Sequence, residues 1–212
     1  MVFQLTERIV FPKPSLADAD GLLAVGGDLS VERLLLAYSL GIFPWYSEGE
    51  PVLWYSPHKR FVLIPADVHV SHSMRRTIHS TKYEIRWNTA FEQVIAACAT
   101  TRRRGEHGTW ITNDMIEAYI RLNQINRAHS IEVWMDGTLA GGLYGVQIGR
   151  VLCAESMFSK YANTSKLALI ALCQSGKYEL IDCQMYTPHL ERMGAIYMDR
   201  GEFMKILQGG NE

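Results

Sequence analysis

The segment that most constrains this chain runs from Asp20 to Arg60: DGLLAVGGDLSVERLLLAYSLGIFPWYSEGEPVLWYSPHKR. Gly21, Gly26, Gly27 and Gly41 break the backbone where bulkier residues could not follow. Pro44, Pro51 and Pro57 stiffen the turns between them. Trp45, Tyr46, Trp54 and Tyr55 sit in those turns rather than on a periodic helix or strand face. A rigid loop carrying tryptophans fits a platform for a flat group such as a base or a sugar. It also fits a hydrophobic plug between two domains, and packing alone leans to the plug.

The rest of the chain bounds the answer. Its 212 residues suffice for one large domain or two small ones. With 48% hydrophobic and 20% charged residues, a globular fold is expected. No apolar run approaches the roughly 18 residues of a membrane span, and the N-terminus lacks a secretory pattern, so a cytoplasmic location is expected. Cys98, Cys153, Cys173 and Cys183 form no Cys-x-x-Cys pair and read as buried thiols, not as a zinc or disulfide frame. A net charge of −1 argues against a protein-wide positive field for nucleic acid. It leaves room for local patches: Arg75, Arg76, Lys82 and Arg86 cluster, and Arg102, Arg103 and Arg104 are consecutive. Short basic runs of this kind are usually solvated faces.

Periodicity predicts helices over Val31–Leu40, Ser71–Ser80, Ala90–Thr100, Asn113–Asn126 and Ser165–Gln174, the first capped by Ser30 and the fourth by Thr112. It predicts strands at Phe61–Ile64, Tyr83–Trp87, Ile131–Met135, Leu139–Ile148, Val151–Phe158, Glu179–Gln184 and Ala195–Met198. Asp136-Gly137 is a hairpin signal between two of them. A short helix near His189 and a last one at Phe203–Leu207 complete the pattern. The fold class is α+β, with a domain boundary placed near Pro65.

On a strand, Asp182 and Gln184 would share one face, with Cys183 opposite. An acid and an amide side by side among Leu, Ile and Cys must be hydrogen-bonded or sit at a cleft. Tying down a neighbouring loop is an equally good use of Asp182. The histidines lack metal-ligand spacing, and the chain has no Gly-x-Ser-x-Gly elbow or Walker A loop. Neither a metal nor a cofactor is expected.

The runs DGLLAVGGDLS, RLLLAYSLGIFPWY and LWYSP, then GTWIT, HSIEVW, GGLYGV, ESMFS and LIDCQ in that order, resemble the leucyl/phenylalanyl-tRNA–protein transferases from Phe11 to about Gly201. That resemblance implies a small N-terminal α/β domain over residues 1–64 and an acetyltransferase-like (GNAT-like) domain over 65–212. It implies transfer of Leu or Phe, with Met left open as a third donor, from aminoacyl-tRNA to the α-amine of proteins beginning with Arg or Lys, which marks them for N-end-rule degradation. A monomer without cofactor is expected.

The resemblance also assigns residues. Asp182 and Gln184 lie at the reaction centre, with Gln184 accepting a hydrogen bond from the attacking amine and Asp182 orienting Gln184 or favouring the developing ammonium. Glu155 is either a surface or N-cap-like carboxylate or the group that meets the acceptor's Arg or Lys side chain. Trp45 and Trp110 hold the terminal adenosine, with Tyr38 and Tyr119 helping by stacking or through their hydroxyls. Leu143, Leu152, Met157 and Leu172 wall the amino-acid pocket, although each singly reads as core. Arg75, Arg76, Lys82 and Arg86 face the tRNA body. The competing enzyme is an acetyl-CoA-dependent N-acetyltransferase on the same fold, which wants a Gly-rich pyrophosphate loop that the chain lacks. A non-catalytic tRNA-binding module would explain the aromatics but not Asp182 and Gln184.

Overall fold

The computed structural model describes residues 2–80, 82–101 and 110–209. The N-terminal quarter forms a four-stranded sheet in the order β1-β2-β4-β3, from β1 (Phe3–Leu5), β2 (Leu22–Gly26), β3 (Phe43–Pro44) and β4 (Leu53–Tyr55). Helix α1 (Val31–Ser39) crosses between β2 and β3. Ser30 starts it by accepting the Arg33 N–H, and Gly41 leaves it at φ +68°. Trp54 is fully buried, with its indole N–H on the Gly26 carbonyl at 2.8 Å, and Tyr46 is buried as well. Half of the aromatic segment is therefore plug. Trp45 is the exception, at 40% exposure.

The larger sheet has seven strands in the order β11-β5-β10-β9-β8-β7-β6. Its members are β5 (Lys59–Leu63), β6 (Glu84–Trp87), β7 (Ala128–Met135), β8 (Thr138–Ile148), β9 (Val151–Ser159), β10 (Leu180–Gln184) and β11 (Ile196–Asp199). β7, β8 and β9 form an antiparallel meander, α5 (Thr164–Gln174) follows, and β10 returns parallel to β9. This is the order of elements expected from the pattern, and the fold is α+β. β5 pairs with both β10 and β11, so the chain passes into the large sheet by Lys59, ahead of Pro65.

Helices cover both faces of the large sheet. α3 (Phe91–Thr100) and α4 (Asn113–Gln124) share one core with α1, Trp54, Tyr144 and Val146, so the two sheets are joined by continuous apolar packing. Thr112 caps α4 as expected, and Ser71 caps α2 (His72–Ile78). α5 packs on the other face over Leu143, Leu152 and Ile181. The chain closes with α6 (Pro188–Arg192) and α7 (Arg200–Gly209). Among the described residues no helix is long and apolar enough to cross a membrane.

Three bulges interrupt the sheet: one lies between β7 and β8, where Ala140 is unopposed, and the other two shape the space between β9 and β10. Between β8 and β9, Tyr144 faces Ser156 and Gly145 faces Ala154, which leaves Glu155 unopposed. Between β10 and β5, Asp182 faces Val62 and Gln184 faces Phe61, which leaves Cys183 unopposed. A bulge bends its strand and re-aims the side chains beside it. Gly145 is part of the bulge between β8 and β9: a Cβ there would run into the Cys153 carbonyl. Gly145→Ala is therefore expected to destabilise the fold by roughly 1–3 kcal/mol. Gly201→Ala, in α7 with open space around it, should be neutral or slightly stabilising. Denaturant unfolding of the two variants checks the contrast.

Candidate active site

Strands β9 and β10 pair only from Val151–Leu180 to Cys153–Asp182. Beyond that point the bulges carry them apart, and a cavity of about 440 Å³ opens between their ends. Its size falls in the range of small-molecule sites. Ala154, Glu155, Ser156 and Met157 line it from β9, and Cys183, Gln184, Met185, Tyr186 and Thr187 from β10 and the following turn. Leu169 of α5 and Leu190 of α6 add apolar wall, and Phe43, Pro44, Trp45 and Trp110 form the remaining side. The structure thus brings together five of the residues expected at the site: Glu155, Gln184, Met157, Trp45 and Trp110.

One hydrogen bond spans the gap. The Gln184 side-chain Nε2 donates to Glu155 Oε1 at 2.7 Å. Tyr38 donates its hydroxyl to the same oxygen at 2.8 Å, and Tyr119 to Oε2 at 3.1 Å. The two tyrosine hydroxyls also touch each other. Burial pushes the Glu155 carboxyl up to about 7, against the pull of the hydrogen bonds from Tyr38, Gln184 and Tyr119. Burial and the neighbouring Glu155 raise both phenols well above their usual range, so they stay protonated donors. In its ionised form the carboxylate only accepts, so it takes the nitrogen of the Gln184 amide and leaves the amide oxygen free of that bond.

The expected shared face of Asp182 and Gln184 does not occur, because the bulge at Cys183 separates them. Asp182 is fully buried behind the cavity and forms a two-point ion pair with Arg60 of β5, one contact being Nε to Oδ1 at 3.2 Å. Asp182 reaches Gln184 through the backbone instead, accepting its N–H at 2.9 Å. That bond helps to hold Gln184 at φ +61°, in a tight turn closed by the Met185 N–H on the Cys183 carbonyl at 2.7 Å. Such a φ is uncommon outside glycine and needs support. Cys183, expected to point away, lines the cavity. Burial and Asp182 push its thiol upward, away from reactive thiolate chemistry.

Other expectations are redistributed. Leu143, Leu152 and Leu172 are fully buried between the large sheet and α5 and do not line this cavity. Helical spacing explains the last: Leu169, about one turn earlier, takes the wall position. Tyr38 and Tyr119 are fully buried, so they present hydroxyls to Glu155 rather than a ring face to a base. Arg75 and Arg76 are exposed on α2, and Lys82 is exposed after it. Arg86 is committed to a two-point pair with Glu84 and lies over the Trp134 ring. Arg102–Arg104 lie outside the described residues.

Two residues escaped sequence reasoning. Arg60, just after LWYSP, suggests no role by sequence, although a buried cation is the natural partner for a buried Asp182. His189 lines the cavity, and its Nε2 has no hydrogen-bond partner among the described residues. Burial, Lys166 and Arg192 lower its pKa, so it is neutral near pH 7.

Comparison with known proteins gives the family. Residues 27–58 match the leucyl/phenylalanyl-tRNA protein transferase N-terminal domain, and residues 62–208 match the leucyl/phenylalanyl-tRNA protein transferase family. The chain is 54% identical to the leucyl/phenylalanyl-tRNA–protein transferase of Desulfatibacillum aliphaticivorans, over 97% of this chain and 90% of that protein. It is 49% identical to the one from Flavobacterium psychrophilum, over 96% of this chain and 98% of that protein. A solved GCN5-related N-acetyltransferase from Kribbella flavida is far more distant, at 11% identity over 78% of this chain and 59% of its own, with a TM-score of 0.38, too low to carry an argument. The matched residues span nearly the whole chain and include both walls of the cavity: the chain belongs to the leucyl/phenylalanyl-tRNA–protein transferase family of aminoacyltransferases.

Proposed function

We propose that the cavity binds the aminoacyl end of leucyl- or phenylalanyl-tRNA and passes the amino acid to the α-amine of proteins beginning with Arg or Lys, marking them for degradation. The observation that carries this reading is the composition of the walls. Met157, Leu169 and Leu190 offer an apolar seat for Leu or Phe, Trp45 and Trp110 flank it with indole faces, and the Gln184 amide is the polar group held at its edge. Exposed Arg75, Arg76 and Lys82 fit contacts to the tRNA body, while Arg86 is neutralised by Glu84.

The chemistry asks little of the protein. The amine nitrogen attacks the ester carbonyl, the bond to the ribose oxygen breaks, and the amine's proton ends on that oxygen. A peptide bond and a free ribose hydroxyl result, with no net proton change. A carboxamide is too weak a base to remove the proton, so Gln184 acts by position, its oxygen accepting a hydrogen bond from the amine. An α-amine with a pKa near 8 has a usable neutral fraction at cellular pH. Glu155 already accepts three hydrogen bonds, which supports a role in aiming Gln184 over direct pairing with the acceptor side chain. The acetyltransferase reading needs free N–H groups at the start of α5 for a pyrophosphate. Here the Thr164 N–H is used by the Tyr161 carbonyl and the Ser165 N–H by Ser159 Oγ.

The direct test is transfer of label from leucyl-tRNA to a peptide beginning with Arg, beside labelled acetyl-CoA. Transfer from the tRNA alone is expected; transfer only from acetyl-CoA would overturn the reading. With Arg75 and Arg76 both changed to Ala, transfer from the full tRNA should weaken while a short aminoacyl-adenosine donor is used as before. Equal loss with both donors would remove α2 from the tRNA surface.

Glu155→Gln tests the aiming role. A glutamine there accepts or donates, so the Gln184 amide loses its fixed sense, and turnover should fall on the order of 10- to 100-fold. Stability should move the other way. The unfolded chain ionises Glu155 near its ordinary 4.5, the folded chain near 7, so wild type binds the extra proton between those values and loses stability as pH rises across them. The variant lacks that loss, and its advantage should grow from pH 4.5 to 7 and then level off. Melting curves across that window check it.

A further inference from the structure

We infer that Arg60 is a positioning residue for the reaction, setting the conformation of Gln184 and tying it to the Phe43–Trp45 wall of the cavity. The inference rests on the role given to Gln184 above and extends it to a residue that touches neither the cavity nor a substrate. Arg60 is 1% exposed, on β5, where it pairs with Met198 of the edge strand β11. Its guanidinium is sandwiched between the rings of Phe43 and Phe203, at 4.7 and 4.8 Å from their centres. Every nitrogen of the fork is used. Nε and Nη2 hold the two oxygens of Asp182, and Nη1 donates to the Gly41 carbonyl at 2.9 Å.

Each of these contacts leads to a different wall. Gly41, at φ +68°, is the turn that releases the chain from α1 into Phe43, Pro44 and Trp45. Asp182, once oriented, spends Oδ1 on the backbone N–H of Gln184, the residue at φ +61° whose amide meets Glu155. One planar cation therefore ties the aromatic wall to the bulge carrying the amide. Lysine cannot do this, because an ammonium has no fixed fork and stacks poorly between two rings. Geometry at a reacting centre is sensitive to such ties: a displacement of about 1 Å costs on the order of 100-fold in rate.

Because Arg60 acts through Gln184, its loss and the loss of the Gln184 side chain should overlap. In labelled-leucine transfer to an Arg-initiated peptide, Arg60→Lys should lower kcat at least about 10-fold, with donor KM changing much less. Gln184→Ala made in the Arg60→Lys background should then cost less than about 3-fold more. If the two losses multiply, Arg60 serves overall stability alone and the inference fails. A second variant covers the charge left behind by a poor lysine fit. Arg60→Met with Asp182→Leu removes both charges, an exchange that buried ion pairs often tolerate without loss of fold. That protein should fold but turn over about as slowly as Gln184→Ala. Folding with turnover within about 3-fold of wild type would overturn the inference.

A measurement without tRNA separates this from the reading beneath it. In wild type the two Gln184 side-chain N–H resonances should be dispersed by the bond to Glu155. In Arg60→Lys they should collapse toward free-amide values, whether or not the wild-type protein transfers leucine. Unchanged resonances would overturn the inference; a wild-type protein that transfers nothing would overturn the proposed reaction instead.

Discussion

The hydrogen bond from Gln184 to Glu155 spans the place where two paired strands come apart, and the site is arranged around it. A parallel pair that stayed in register would fill this space with backbone. Bulges at Glu155 and Cys183 end the pairing instead, and the side chains of Glu155 and Gln184 meet across the opening. A polar contact this deep must be satisfied on every side, since a half-made network costs more than an apolar one. Tyr38 and Tyr119 complete the carboxylate, and Asp182 with Arg60 completes the strained backbone of Gln184. Two buried carboxylates thus divide the work: one aims the amide, the other holds its main chain.

That arrangement explains why the small N-terminal sheet packs as part of the cavity. α1 delivers Tyr38 to Glu155, and the turn after it delivers Phe43 and Trp45 to the cavity. The buried face of the aromatic segment, with Trp54 and Tyr46, joins the continuous core that locks these pieces against β8 and β9. Buried plug and exposed Trp45 are two faces of one segment. A separate, loosely attached domain could not hold a hydroxyl at 2.8 Å from a carboxylate on the other sheet.

Much of the fold was legible because its signals are local. Ser30 and Thr112 cap the helices they were expected to cap, and Asp136-Gly137 turns the β7–β8 hairpin. The candidate site was legible where a residue stands out from its setting: Trp45 in a Gly- and Pro-shaped loop, and Gln184 among aliphatics, both of which line the cavity. It was illegible where the period of two fails. Alternation put Asp182 and Gln184 on one face and Cys183 on the other, and a single unopposed residue reversed that. Leu172 and Leu169 differ by less than one helical turn, which composition cannot resolve. For the tyrosines both stacking and hydroxyl contacts to the adenosine were open, because nothing in the sequence reveals that their hydroxyls meet a buried glutamate. Arg60 lies 122 positions from its partner. Only the rule that a buried acid needs a buried base could have suggested the pairing.

The central claim is that Glu155 is a buried carboxylate, held near neutrality by its surroundings, that fixes the sense of the Gln184 amide. Titrating a carbon-13-labelled Glu155 side chain by NMR tests it most directly. The account predicts a midpoint near 7, and a higher one in Tyr38→Phe, where a hydrogen bond that favours the charged form is lost. A midpoint near the ordinary 4.5, unchanged in Tyr38→Phe, would place the carboxylate in solvent and contradict the account.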